Sequence, residues 1–191
     1  MTDVRIGTFD DSLNSDGTSA EGWILFGGTM AVAQTILAPP SAKLLDNFKL
    51  YIAADPSGNS SSFRSFVLRW DDTLAKARGL LLYLSDTISP VAHEETGSHH
   101  FDEFVFPAKV KLQPGLRYVI GVTGAFASQN GLSAIAATQN ALTYGDGDVV
   151  QLELLFAPFG PILFLLNADF RTWTKQPMGL CDLAFEATIT L

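Results

Sequence analysis

The sequence predicts an all-β protein, an antiparallel, jelly-roll-like β-sandwich that forms a single domain over residues 1–191. Three observations predict this class: apolar side chains recur at every second position, turn-forming residues separate these runs, and helical spacing of apolar residues is nearly absent. Successive side chains of a strand point to opposite faces, so a period of two indicates a strand with one buried face. A series of about ten to twelve short strands is typical of a sandwich or barrel.

Four runs define the strands most clearly. In the first, one face is predicted to hold Leu44, Asp46, Phe48, Leu50 and Ile52, of which only Asp46 is polar. The next two predict inward faces formed by Phe66, Leu68 and Trp70, and by Tyr118, Ile120 and Val122. Residues 71–82, the best helix candidate, fit a short turn and a strand better. The last run predicts a buried face of Leu183, Phe185, Ala187, Ile189 and Leu191 opposite a polar face of Asp182, Glu186, Thr188 and Thr190.

Turn-forming pairs separate these runs. Glycine supplies a positive φ, and proline presets the first turn residue while removing a backbone donor. The pairs include Asp16-Gly17, Pro39-Pro40, Pro114-Gly115 and Asn130-Gly131. Because no internal repeat and no long linker divides the chain, we expect one domain.

Composition and charge exclude several classes of protein. Apolar residues make up 47% of the chain and charged residues 17%, which is the opposite of a disordered composition. The net charge is −8, from 20 acidic and 12 basic residues, and the basic residues are not clustered. Nucleic acid is therefore not an expected partner, since phosphate binding needs concentrated positive charge.

The sequence also predicts where the protein is found. Its N-terminus has no basic stretch followed by an apolar core, so we expect no signal peptide and synthesis in the cytoplasm. No apolar run approaches the length of about 18 residues that would span a bilayer. Cys181 is the only cysteine, so no disulfide can form within the chain.

Five segments, taken in order, carry a resemblance to a known family: residues 33–36 (AQTI), 44–48 (LLDNF), 63–71 (FRSFVLRWD), 112–119 (LQPGLRYV) and 182–188 (DLAFEAT). Together they resemble the β-sandwich modules of bacterial exported proteins with PEP-CTERM or choice-of-anchor sorting signals, over about residues 30–191. The resemblance implies a jelly-roll-like sandwich used for adhesion and glycan binding, with no catalytic residues to carry over.

The chain differs from that family in two features that suggest its role. It shows neither the leader nor the sorting tail of the family, and it contains the apolar segment 154–164. We therefore expect a non-enzymatic component of a large assembly, a bacteriophage virion accessory protein that decorates the head or mediates tail-associated adhesion. Its partners would be copies of itself or capsid and tail proteins. The alternative is a cell-surface or extracellular glycan-binding module.

Candidate contact residues follow from these two hypotheses. Partner contact is predicted for Leu155, Phe156, Phe159, Ile162 and Phe164, although a buried strand explains the same segment. Glycan contact is predicted for Trp173 and Tyr144, because aromatic faces pack on sugar rings; packing in the core is the alternative for Trp173.

Titratable residues suggest two metal sites, each with a simpler explanation. Structural calcium, the only cofactor considered, would take oxygen ligands from Asp10 and Asp11 or from Asp146 and Asp148, although turn chemistry alone explains the Asp-Gly turn of residues 145–148. The histidines and acidic residues of 93–103 could bind a transition metal, but a solvated acidic loop is the favoured explanation.

No catalytic motif is present. The sequence contains no Gly-x-Ser-x-Gly, Walker, His-Glu-x-x-His or Cys-x-x-Cys motif. We therefore expect no enzymatic activity. A hydrolase remains an alternative, because two carboxylates can meet in the fold without being close in sequence.

Overall fold

The computed structural model describes residues 2–8, 22–27, 30–55, 60–91, 100–124, 131–138, 144–153, 173–175 and 182–191. These ranges form fourteen β-strands and no helix, as predicted for an all-β protein. Within them, accordingly, no helix is long and apolar enough to cross a membrane.

One sheet has eight strands. They are β1 (Asp3–Gly7), β2 (Gly22–Gly27), β4 (Leu44–Ala54), β7 (Asp102–Phe106), β8 (Val110–Lys111), β10 (Leu132–Thr138), β13 (Asp182–Leu183) and β14 (Phe185–Thr190). The order is β1-β14-β4-β10-β13, with β2 paired to β10 and with β7 and β8 paired to β4. All of these pairs are antiparallel.

The second sheet has six strands. They are β3 (Met30–Leu37), β5 (Arg64–Asp71), β6 (Lys76–Leu84), β9 (Arg117–Thr123), β11 (Val149–Glu153) and β12 (Thr174–Lys175). The order is β12-β11-β3-β9-β5-β6, again antiparallel throughout. The chain crosses repeatedly from one sheet to the other, which confirms the predicted jelly-roll-like β-sandwich.

The main core lies between the two sheets. Side chains from both of them form one buried apolar cluster, which includes Phe48 and Leu50 of β4 and Val32 and Ile36 of β3. The predicted inward faces of the third and last runs are confirmed, since this cluster contains Tyr118, Ile120, Val122, Leu183, Phe185, Ala187 and Ile189. Leu191, also predicted on that face, is partly buried and packs against the cluster. The predicted turn and strand over 71–82 are confirmed as a turn at 72–75 followed by β6.

A β-bulge in β4 explains the one polar residue on its predicted inner face. The register of β14 against β4 skips Asp46. Because an extra residue shifts the alternation by one position, Leu45 is fully buried and the predicted Leu44 is only partly buried. Beyond the bulge, the predicted positions lie in the core: Phe48, Leu50 and Ile52.

The strand β5 is buried on both faces, which corrects the prediction of a single inward face. Val67 belongs to the core between the sheets, whereas Phe66 and Leu68 belong to a second apolar cluster, called the outer cluster below. Since neighbouring side chains of a strand point to opposite faces, this second cluster lies on the outer face of the six-stranded sheet. Trp70, predicted to lie in the core, is partly buried against it.

The polar face predicted for the C-terminal run needs one correction. Asp182 is 4% exposed and lies in the interior, whereas Glu186, Thr188 and Thr190 are partly exposed. The side chain of Asp182 accepts a hydrogen bond from Gln34 of the opposite sheet at 2.9 Å. A hydrogen-bonded partner between the sheets thus replaces water at this position.

Candidate ligand-binding pocket

An open pocket of about 550 Å³ lies at one end of the six-stranded sheet. It forms where β5 turns into β6 and where a loop leads into β9. Half of its lining residues come from β5 and the following turn: Arg69, Trp70, Asp71, Asp72 and Thr73. The rest comes from Arg78 and Gly79 of β6, and from Gly115, Leu116 and Arg117 at the start of β9.

The turn between β5 and β6 is fixed by Asp71. Its carboxylate accepts hydrogen bonds from the backbone N–H groups of Thr73 at 3.0 Å and Leu74 at 3.1 Å. An aspartate that bonds to the backbone two and three residues later stabilises a tight turn. The bond from Leu74, together with that from Arg78, holds the pKa of Asp71 below its ordinary value, so this carboxylate stays ionised.

Three arginines line the pocket, although the whole chain carries a net charge of −8. Arg78 Nη1 lies 3.3 Å from Asp71 Oδ2, and Arg117 Nε lies 3.1 Å from Asp72 Oδ2. Arg69 Nη2 donates to the neutral side-chain amide of Gln113 at 3.0 Å. The pocket wall therefore holds three guanidinium groups against two carboxylates.

Two of these arginines face each other across paired strands. The register of β5 and β6 places Arg69 directly opposite Arg78. Residues that are opposite in an antiparallel pair project on the same face, with Cβ atoms about 4.5–5.5 Å apart. Like charges in directly opposed positions destabilise a sheet. Arg69 and Arg78 nevertheless occupy such positions, at the opening of the pocket.

Trp70 provides the aromatic surface of the pocket. Its ring packs edge to face against the ring of Trp173, with centroids 6.0 Å apart and an interplanar angle of 81°. Trp173 in turn contacts Phe66, with centroids 6.4 Å apart. This contact with the outer cluster orients Trp70, which remains partly exposed at the pocket.

The two aromatic residues predicted to contact glycan lie in the interior. Trp173 is 4% exposed, so it packs in the outer cluster, which was the alternative considered for it. Tyr144 is 9% exposed, and its ring packs against Phe185 with centroids 5.4 Å apart. Its hydroxyl accepts a hydrogen bond from the backbone N–H of Leu37 at 2.9 Å, and burial raises its pKa. Neither ring presents a face to solvent.

Of the four carboxylates predicted to bind calcium, the structure describes Asp146 and Asp148, which lie in the loop before β11. Asp146 is exposed, and its backbone carbonyl accepts a hydrogen bond from Arg117. The Asp148 backbone N–H donates to the hydroxyl of Thr35 at 2.8 Å. Across the ranges that the structure describes, no three His, Cys, Asp or Glu residues come close enough to hold a metal ion.

Several predicted contact residues lie outside the described residues: Asp10, Asp11, Leu155, Phe156, Phe159, Ile162 and Phe164. Residues 93–99 of the histidine-rich segment also lie outside them. In the described part of that segment, His100 Nε2 lies 3.6 Å from Asp102 Oδ1.

Sequence reasoning missed the pocket itself. Its residues come from two segments, 69–79 and 115–117, which the fold brings together through the pairing of β5 with β9. The signal in the sequence was a set of charged side chains next to turn-forming residues, as in Arg78-Gly79 and the segment 114–117. Charged residues next to turns lie at the ends of strands. Which of these ends are neighbours depends on the order of the strands in the sheet, which the sequence alone does not give.

The described residues thus define an antiparallel β-sandwich with an arginine- and tryptophan-lined pocket at a sheet end. No protein-family model matches the chain, and a search of curated proteins finds no match. Among solved structures, the chain is similar to that of the cysteine protease and lectin-like domains of Cwp84, a surface layer associated protein of Clostridium difficile, with a TM-score of 0.49 and 8% identity. The similarity covers 87% of this chain and 35% of that one, so the chain spans about a third of that protein's length.

Proposed function

We propose that the protein is a non-enzymatic binding module that holds a saccharide in the pocket between β5, β6 and β9. The observation that carries the proposal is the convergence of a partly exposed tryptophan with guanidinium and carboxylate groups in one concave site. Binding pockets for small molecules typically have volumes of about 300–1,000 Å³, and this one falls within that range.

The chemistry of the wall suits a sugar. The ring of Trp70 offers an apolar face for the C–H side of a pyranose, and its contact with Trp173 limits its motion. Asp71 and Asp72 are hydrogen-bond acceptors for hydroxyl groups, while the arginines are donors. Arg78 is already hydrogen-bonded to Asp71, and Arg117 to Asp72, which reduces the conformational entropy that these side chains lose when a ligand binds.

Asp71 is poorly suited to act as the acid in glycoside hydrolysis. That reaction needs a carboxylic acid that keeps its proton near neutral pH, which requires a raised pKa. The backbone N–H of Leu74 and the guanidinium of Arg78 have the opposite effect on Asp71. An ionised carboxylate can accept a hydrogen bond from a sugar but cannot protonate a leaving group, and this favours binding over catalysis.

An array of immobilised oligosaccharides, followed by calorimetry on those that bind, tests the proposal. We expect saturable binding that Trp70→Ala abolishes and Trp70→Phe largely keeps, because phenylalanine retains an aromatic face. Arg64→Gln is the matched control, since Arg64 lies on the same strand outside the pocket. The proposal is wrong if no oligosaccharide binds saturably, or if Trp70→Ala binds as the unaltered protein does while keeping its melting temperature.

A second candidate function is contact with other copies of the chain in an assembly, such as a virion. β6 is the last strand of its sheet, and no described strand pairs with its outer edge. Leu80, in the middle of β6, is 82% exposed. Antiparallel pairing of two copies centred on Leu81 would place Lys76 of one copy beside Asp86 of the other, which is a favourable charge arrangement.

Sedimentation velocity tests this second candidate. If β6 forms the contact, the unaltered protein self-associates with concentration and Leu80→Lys does not. Leu132→Lys is the control, because Leu132 is 44% exposed on the other sheet, on a strand that is paired on both sides. A protein that stays monomeric at every concentration would exclude self-assembly through β6.

A further inference from the structure

We infer that the pocket selects a saccharide that carries a carboxylate, and that Arg69 and Arg78 hold this group between them. The inference rests on the proposed function and adds the chemical class of the sugar. It follows from the arrangement of charge at the pocket rather than from its shape.

The two arginines occupy an unfavourable cross-strand position. Arg69 and Arg78 are directly opposed in the register of β5 and β6, where like charges repel. Asp71 accepts a hydrogen bond from Arg78 and offsets part of that repulsion. An anion bound between the two guanidinium groups would offset more of that repulsion, which favours the bound state.

Arg69 has more hydrogen-bond donors than its one described partner uses. A guanidinium group carries five N–H donors in a planar fork and keeps its positive charge at physiological pH. In the described part of the chain, the side chain of Arg69 bonds only to the neutral amide of Gln113. No carboxylate among the described residues therefore neutralises its charge, and N–H groups of the guanidinium remain for a ligand.

The planar N–H donors of a guanidinium group match the two oxygens of a carboxylate. Arginine and carboxylate form two parallel hydrogen bonds in one plane, which fixes orientation as well as adding energy. Arg69 and Trp70 project from opposite faces of β5, because neighbouring side chains of a strand alternate, and both line the pocket where it opens at the end of the sheet. A uronic acid bound at this opening would direct its carboxylate to the side of Arg69 and its ring to the side of Trp70.

The test compares one oligosaccharide in two forms: a uronic-acid oligosaccharide, and the same chain with its carboxylates reduced to hydroxymethyl groups. We expect the acidic form to bind at least about tenfold more tightly, since hydrogen bonds to charged groups are among the stronger ones. Added sodium chloride should weaken the acidic form and leave the neutral form unchanged. Arg69→Gln should remove this preference, and Arg69→Lys should retain part of it.

Each outcome has a separate meaning. If the reduced form binds as tightly as the acidic form or more tightly, the inference is wrong and the proposed function stands. If neither form binds to the unaltered protein, the result counts against the inference and against the proposed function. Acetate or inorganic phosphate alone, bound as tightly as the oligosaccharide, would show a simple anion site and would overturn the inference. Arg64→Gln, on the same strand but outside the pocket, should keep the preference. Arg69 is exposed, so Arg69→Gln is expected to fold.

Discussion

Gly147 shows how one residue can be required for packing rather than for a turn. A Cβ atom at this position would lie 2.0 Å from the backbone oxygen of Thr35 and 2.8 Å from Gln34 Nε2. At Gly145, two residues earlier, an added Cβ would meet nothing within 4 Å. The two glycines look equivalent in the sequence, but only Gly147 allows the loop to approach β3 closely.

This difference leads to a prediction on stability. Gly147→Ala must move the backbone of β3 or of the loop, so we expect it to lower the free energy of unfolding by about 1–3 kcal/mol. Gly145→Ala should change it by no more than about 0.5 kcal/mol. Urea denaturation followed by tryptophan fluorescence measures both variants. Equal effects of the two substitutions would contradict the close approach of Gly147 to Thr35.

At the scale of a secondary-structure element, β4 shows the effect of a single bulged residue. Asp46 is skipped in the pairing with β14, and its side chain bonds to Asn47 at 3.0 Å and to Lys109. The bond from Lys109 lowers the pKa of Asp46, so the bulged carboxylate stays charged at the surface. The residue that interrupts the apolar alternation is thus the one that the pairing leaves out.

The bulge determines which of two neighbouring leucines supports the core. Leu45→Ala should lower the free energy of unfolding by about 2–5 kcal/mol, because Leu45 is fully buried between the sheets. Leu44→Ala removes a partly exposed side chain and should cost about 1 kcal/mol or less. The two variants differ by one position, so each controls for the other in the same denaturation experiment. A larger loss from Leu44→Ala would mean that β4 has no bulge at Asp46.

The alternation of apolar residues predicted whole strands where one face is buried and the pairing is regular. This holds for β14, whose predicted inward residues lie in the core. The predicted inward residues of β9 also lie there, although Val119 on the opposite face is buried in the outer cluster. It fails for β4, because a bulge depends on the partner strand. It fails for β5, because a second apolar cluster covers the outer face of the sheet. The pocket could not be predicted, since its residues converge only through the order of β6, β5 and β9.

At the scale of the whole molecule, one buried polar contact joins the two sheets. Gln34 of β3 is fully buried; its Nε2 donates to Asp182 Oδ1 at 2.9 Å, and its Oε1 accepts from the backbone N–H of Leu183 at 3.0 Å. The other carboxylate oxygen of Asp182 accepts from the backbone N–H of Tyr144 at 3.2 Å. These bonds connect β3 with β13 and with the loop before β11, so a change at Asp182 should affect the unfolding of the sandwich as a unit.

Burial sets the pH dependence of this contact. Desolvation raises the pKa of Asp182 above its ordinary value, with a smaller contribution from the negative charge of Asp148, while the bonds from Tyr144 and Gln34 oppose the shift. The folded state therefore holds the proton of Asp182 more tightly than the unfolded state does. By linkage, this contribution to stability is fully present below the unfolded pKa of about 4 and is lost as pH rises through the folded pKa.

Urea denaturation between about pH 3.5 and pH 7 tests this expectation. The free energy of unfolding of the unaltered protein minus that of Asp182→Asn should fall as the pH rises, because asparagine cannot lose a proton. Asp71→Asn provides a control of opposite sign: the pKa of Asp71 is lowered, so stability is gained as its carboxylate ionises, and the corresponding difference should rise with pH. Parallel pH profiles for the unaltered protein and Asp182→Asn would contradict the raised pKa, since they would mean that Asp182 titrates alike in the folded and unfolded chain.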